Sequence, residues 1–206
     1  MTRMSVEDRR SALISAAYRV IADLGVEGAT TRRICAQAGM PLASFHYAFE
    51  SRTALLRAVI DTAVPSDLGA VLDAISPGTN PQGEGIEHLR ANMYENLDTF
   101  YEMLRADPGR MQATISLGIY AHNHPELDDA GKVMYERLYA IAGDGLRVGA
   151  ARANVEFNVP VSDLAPLMIA TTNAITLTYL STADDKVVRQ LITAVVNVMI
   201  EHAQPL

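Results

Sequence analysis

With 206 residues, 49% of them hydrophobic and 20% charged, the chain has room for a small domain joined to a larger one and enough apolar content for a sizeable core. No apolar run reaches the roughly 18 residues a membrane span needs, and the opening MTRMSVEDRR lacks the apolar segment of a secretory signal. Cys35 is the single cysteine, which excludes an intramolecular disulfide and agrees with a cytoplasmic setting. The net charge of −7 is unevenly spread: residues 1–60 carry eight Arg against five acids, a net +3, and the rest nine basic against nineteen acidic residues, a net −10. A basic end on an acidic body orients a molecule on a polyanion.

In chain order, Leu13, Ala16, Ala17, Val20, Ile21 and Leu24 form one apolar stripe at helical spacing. Ser5 is the expected cap of that helix, Glu7 and Asp8 suit its positive end, and Gly25 ends it. Thr30 caps a second helix to Ala38, with Ile34 and Ala38 inward. Gly39 supplies a left-handed turn, and Pro41 opens a third helix over about 42–48 whose Phe45 and Phe49 face inward. Ser51 caps a fourth, which uses Leu55, Leu56, Val59 and Ile60. SPGTNPQGEG at 76–85 reads as a loop. Further helices are expected at 86–105, 108–121, 125–152, 162–181 and 184–203. No β-alternation of useful length is present, so the fold class is all-α, with about nine helices.

The second and third helices are very short, are pinched together at Gly39, and leave Ser44, His46 and Tyr47 on the outer face of the third. Short helix, glycine turn and second helix are the layout of a DNA-reading helix-turn-helix. The expected division is a DNA-binding domain over 1–52 and a larger helical domain over 53–206.

Thr30, Ile34, Ala38-Gly39, Ser44-Phe45-His46-Tyr47, Phe49, Arg52 and Leu55 together resemble the N-terminal domain of the TetR family of one-component transcriptional regulators. The likeness covers residues 8–60 by motif and the remainder by helix count and length. It implies that helix 42–48 enters the major groove of an operator. His46, Tyr47 and the Thr30 hydroxyl then address phosphates, and Arg32 makes a two-pronged contact to guanine or phosphate. Arg52, where the family usually has Lys, would hold a phosphate. Leu42 and Ala43 depart from the polar residues common there, which leaves base reading to Arg32, Ser44 and His46, with Leu42 and Ala43 against thymine methyls. Arg33 stands where the family often has an acid, and reads as a solvated surface residue.

The resemblance also implies a body that binds a small effector and pairs with a second copy through its last two helices. Leu164, Leu167, Thr171, Ile175 and Thr178 form one candidate stripe for a homodimer; Leu191, Val195, Val198 and Met199 form the other. Met93, Leu97, Phe100 and Tyr101, then Met111, Ile115, Ile119 and Tyr120, then Met134 and Leu138, with Met168, Thr172 and Asn173, are candidates to line a cavity for a small hydrophobic or aromatic effector. His122 and His124 lack metal-ligand spacing, and no catalytic or cofactor motif is present. A ligand-responsive repressor on a palindromic operator is the expected function. The alternative is a helical small-molecule-binding protein or enzyme without operator recognition, which Leu42, Ala43 and Ala48 would suit.

Overall fold

A computed structural model describes Ser5–Val64 and Gly83–Leu206. Among the described residues the chain forms nine α-helices, one 3₁₀ turn and a two-stranded ribbon. The helices are α1 (Val6–Gly28), α2 (Thr31–Gln37), α3 (Ala43–Ala48), α4 (Arg52–Ala63), α5 (Ile86–Ala106), α6 (Pro108–His122), α7 (Ala130–Arg152), α8 (Val161–Thr182) and α9 (Asp185–Glu201). Most of the 76–85 loop lies outside the described residues. Packing yields two compact units. Of the described residues, one holds Ser5–Val64 and Asp107–Tyr135; the other holds Gly83–Ala106 and Glu136–Leu206.

In the first unit the expected caps form. Ser5 accepts from the Asp8 N–H at 3.0 Å, Thr30 from Arg33 at 3.3 Å and Ser51 from Ala54 at 3.0 Å. Each such cap is worth about 1 kcal/mol. Leu13, Ala16, Ala17, Val20 and Ile21 are buried as their spacing predicts, but Leu24 is 55% exposed. Gly25, at φ 73°, breaks the helical path there rather than ending the helix, and a short turn continues to Gly28. The stripe is therefore one residue shorter than its periodicity suggests.

α1 also packs along α6. Tyr18 donates to the Arg110 carbonyl at 2.9 Å, and Arg19 pairs with Asp107, the cap of α6, at 2.8 Å. The carboxylates of Asp23 and then Asp107 raise the affinity of the Arg19 guanidinium for its proton. A side chain at Gly109 would stand 2.6 Å from the Ala22 carbonyl, so glycine is what allows this close approach.

The second unit joins α5 to α8 and α9, with Tyr101 as a buried anchor. Its hydroxyl donates to Asp185 in the first turn of α9, and its ring meets Tyr179 edge-on at 5.6 Å. Burial first, and then the Asp185 carboxylate, push the Tyr101 phenol up to about 12.

Two boundaries differ from the sequence expectation. The helix expected from 125 opens as a 3₁₀ turn over Pro125–Leu127 and becomes α-helical at Ala130. The last helix stops at Glu201, and Ala203–Pro205 pairs antiparallel with Val155–Phe157. Three-residue strands are too short to show alternation, so this ribbon is silent in the sequence.

Candidate nucleic-acid interface

The reading helix is held from beneath by aromatic burial. Phe45 and Phe49 are 1% and 3% exposed, with ring centroids 6.0 Å apart. Burying such a side chain is worth about 1.5–3 kcal/mol. Arg10 lies over the Phe49 ring at 4.3 Å and donates to the Ala48 carbonyl at 3.1 Å, closing the end of α3 against α1. The turn before α3 is set by Gly39 at φ 64° and by a 2.8 Å bond from the Met40 N–H to the Cys35 carbonyl. Cys35 itself is buried, and that burial raises its thiol pKa, which suits a packing residue.

With its inner face fixed, α3 presents a defined outer face. Tyr47 is 72% exposed and Leu42 44%. Ala43 and His46 are also exposed, and Ser44 is half-buried. Leu42 is the residue before α3 proper, but its own dihedrals are helical, so it continues the same surface. Thr30 and Arg32 are exposed at the start of α2. These seven residues belong to one short stretch of the first unit.

The arginines of this region divide sharply. Arg10 is held by Ala48, Arg33 by the Gly28 carbonyl at 3.1 Å, and Arg57 by Asp128 and the Leu127 carbonyl, each at 3.2 Å. Arg19 is held by Asp23 and Asp107. Among the described residues of the head, only Arg9 and Arg32 keep a guanidinium that no carboxylate or carbonyl holds, and Arg9 lies 5.7 Å from the centre of the Tyr47 ring. The basic excess of residues 1–60 is therefore largely structural.

Arg52 is engaged within the protein. Its Nε donates to the Ala29 carbonyl at 2.9 Å, one terminal nitrogen to the Val26 carbonyl, and the other to the Tyr120 hydroxyl at 2.9 Å. It is half-buried and turned across the head, where the sequence expectation had it facing a phosphate. Arg33 is exposed, as the sequence suggests, and it also ties the end of α1 through the Gly28 carbonyl.

Residues 13–59 match the family model described as bacterial regulatory proteins, tetR family. That stretch is a TetR-family DNA-binding segment. It is 27% identical over 183 residues to the HTH-type nicotine-responsive transcriptional repressor HdnoR of Paenarthrobacter nicotinovorans, a match covering 89% of each chain. Its fold is similar to that of NemR from E. coli, with a TM-score of 0.73 at 15% identity, covering 93% of this chain and 98% of that one. A transcriptional regulator of Rhodococcus sp. RHA1 is similar as well, with a TM-score of 0.69 at 14% identity and coverage of 96% and 98%. The chain is a DNA-binding transcriptional regulator and not an enzyme. No described helix is long and apolar enough to cross a membrane.

In the body of this regulator, the expected dimer set divides. Leu164, Ile175, Val195 and Met199 are 4%, 0%, 4% and 0% exposed within the single chain, so they pack the protomer and are not available to a partner. Leu167 and Val198 do face outward, while Thr171, Thr178 and Leu191 are half-buried. Leu177 at 51%, Leu180 and Val187 are large exposed apolar residues that the sequence reading did not select. With the exposed Ala170 and Ala194, they extend the outward apolar stripes of α8 and α9.

The effector candidates fall into both compact units. In the first, Met134 is buried, Met111, Ile115 and Tyr120 are half-buried, and Ile119 is 60% exposed. In the second, Met93, Leu97 and Tyr101 are buried, and Phe100, Leu138, Met168, Thr172 and Asn173 are half-buried. The hydroxyls of Tyr101 and Tyr120 serve Asp185 and Arg52, and the Thr172 hydroxyl bonds back to the Ile169 carbonyl at 2.9 Å. His124 stacks on Tyr120 with ring centroids 3.6 Å apart, a packing role in place of a solvated turn. Asn96, on α5 within the second unit, was missed: its Oδ1 is buried with no hydrogen-bond partner. The sequence offers only a faint signal, a second amide one turn after Asn92 and next to Leu97.

Proposed function

We propose that this chain is a cytoplasmic, ligand-responsive repressor that binds a palindromic operator as a homodimer. The observation that carries the reading is the outer face of α3, where exposed Tyr47, His46, Leu42 and Ala43 stand on a helix pinned by buried Phe45 and Phe49. A major groove admits one such helix. Thr30, Arg32, Ser44, His46 and Tyr47 supply its polar contacts, and Leu42 and Ala43 its apolar ones. The functional division is residues 1–52 for DNA and 53–206 for effector and dimerisation. The dimer face consists of the outward residues of α8 and α9, Leu167, Leu177, Leu180, Val187 and Val198, which a two-fold axis would cover.

The effector is a small, largely apolar or aromatic molecule. The relative described as nicotine-responsive favours a nitrogen heterocycle, and the buried Asn96 oxygen would accept a hydrogen bond from its N–H or protonated amine. Effector and operator favour different conformers, so binding of one shifts the population away from the other.

Selection of sites from a random DNA pool at two salt concentrations tests the function. A palindromic motif is the expected result; weak, salt-sensitive retention without a motif would favour a body acting without an operator. Nicotine titrated against the selected duplex then tests the effector class. An orphaned buried acceptor costs about 1–3 kcal/mol, so Asn96→Leu should raise the melting temperature while requiring about tenfold more nicotine to release the operator. An unchanged release curve in a melting-competent variant would remove Asn96 from the effector site.

A further inference from the structure

The fork made by Arg52 joins three parts of the first unit. Val26 and Ala29, whose carbonyls accept from it, close the last turn of α1, and Ala29 directly precedes Thr30, the cap of α2. Its third acceptor, the Tyr120 hydroxyl, comes from the last turn of α6. Tyr120 is itself immobilised: its ring lies 5.6 Å from the Arg52 guanidinium carbon and stacks on His124 at an interplanar angle of 13°. The His124 Nδ1 stands 2.8 Å from the Tyr120 carbonyl, which closes the stack on the backbone. One turn along α4, Arg57 ties the same helix to Leu127 and Asp128.

We propose that Arg52 and Tyr120 are positioning residues for DNA recognition, a clasp that fixes the α1–α2 link and hence the attitude of the helix-turn-helix, and that Arg52 is not a phosphate contact. Only a guanidinium can donate at once to two carbonyls and a hydroxyl in three fixed directions; an ammonium is a point charge on a flexible stem. The link has no regular helix to hold it between Gly28 and Thr31, and Gly25 leaves the helical region just before it. Its Val26 and Gly28 carbonyls accept one backbone N–H each, from Ala29 at 3.1 Å and Thr30 at 2.9 Å, and the arginines add a second donor to both. With Arg52 on Val26 and Ala29, and Arg33 on Gly28, three carbonyls in four residues are held by side chains.

The test uses the full-length protein, the operator duplex obtained by site selection, and the variants Arg52→Lys and Tyr120→Phe. Lysine keeps the charge and loses the fork; phenylalanine keeps the ring and loses the hydroxyl. Each should lower operator affinity about tenfold, the loss of a charge-assisted hydrogen bond, below the melting transition of either variant. The slope of log affinity against log salt should stay that of the wild type, because no phosphate partner has been removed. In the free protein, amide exchange over residues 26–33 should accelerate in Tyr120→Phe while that of α9 is unchanged.

Wild-type affinity in Arg52→Lys, with a slope reduced by about one per protomer in Arg52→Ala, would make Arg52 a phosphate contact and overturn the proposal. Lowered melting temperature with unchanged affinity and unchanged exchange at 26–33 would make the clasp merely structural, and also overturn it. The exchange measurement needs no operator, so it separates failure of the clasp from failure of the operator reading.

Discussion

A protein carrying Leu177→Glu and Val198→Glu should sediment as a folded monomer, and its operator affinity should fall by about a hundredfold or more, the scale on which linking two binding modules raises avidity. Both side chains lie on outward faces of α8 and α9, at 51% and 36% exposure, so charge there costs the lone protomer little. Across a two-fold axis each glutamate would face apolar surface of the partner, where burying an unpaired charge carries a desolvation cost. The control is Leu164→Ala. That residue is 4% exposed within the chain, so truncation should cost about 2–5 kcal/mol of stability yet leave the molecule dimeric. A glutamate variant that still sediments as a dimer would place the interface elsewhere on the body.

The contrast between Leu164 and Leu177 shows what the sequence makes legible and what it does not. Caps and turns were readable because their chemistry is local. Thr30, Gly39 and Ser51 act on groups within four residues, and all three form as expected. The stripes of α1 and α4 were readable because each helix has one apolar face and one polar face. α8 is apolar on several faces, so periodicity finds a stripe but cannot say which one the protomer keeps. Leu164 and Ile175 are kept; Leu167 and Leu177 are left outside.

Arg52 escaped sequence reading for a different reason. Its acceptors lie 23, 26 and 68 residues away, and a cation at the start of a helix looks the same whether it turns outward or across. Asn96 was hidden because an amide flanked by Glu95 and Asp98 on an amphipathic helix shows nothing of its burial until the fold is known. The positions least visible in the sequence are thus those whose partners are distant or absent. Within the reading head, that sorting of arginines leaves a sharp expectation for Arg32.

Arg32→Ala should weaken operator binding about ten- to hundredfold, the range of a lost two-pronged guanidinium contact made in both half-sites. The side chain is exposed and has no carboxylate or carbonyl partner among the described residues, so its removal should leave the melting temperature and dimer intact. Its neighbour provides the comparison. Arg33 is one residue away and equally charged, but it donates to the Gly28 carbonyl, so Arg33→Ala should lower stability more than affinity. The form of the Arg32 defect identifies the contacted group. Relaxed selectivity at one position of each half-site means a base edge, whereas a uniform loss across sequences with a salt slope reduced by about two per dimer means a phosphate. Full affinity in Arg32→Ala would remove the start of α2 from the interface and leave recognition to Ser44, His46 and Tyr47 on α3 alone.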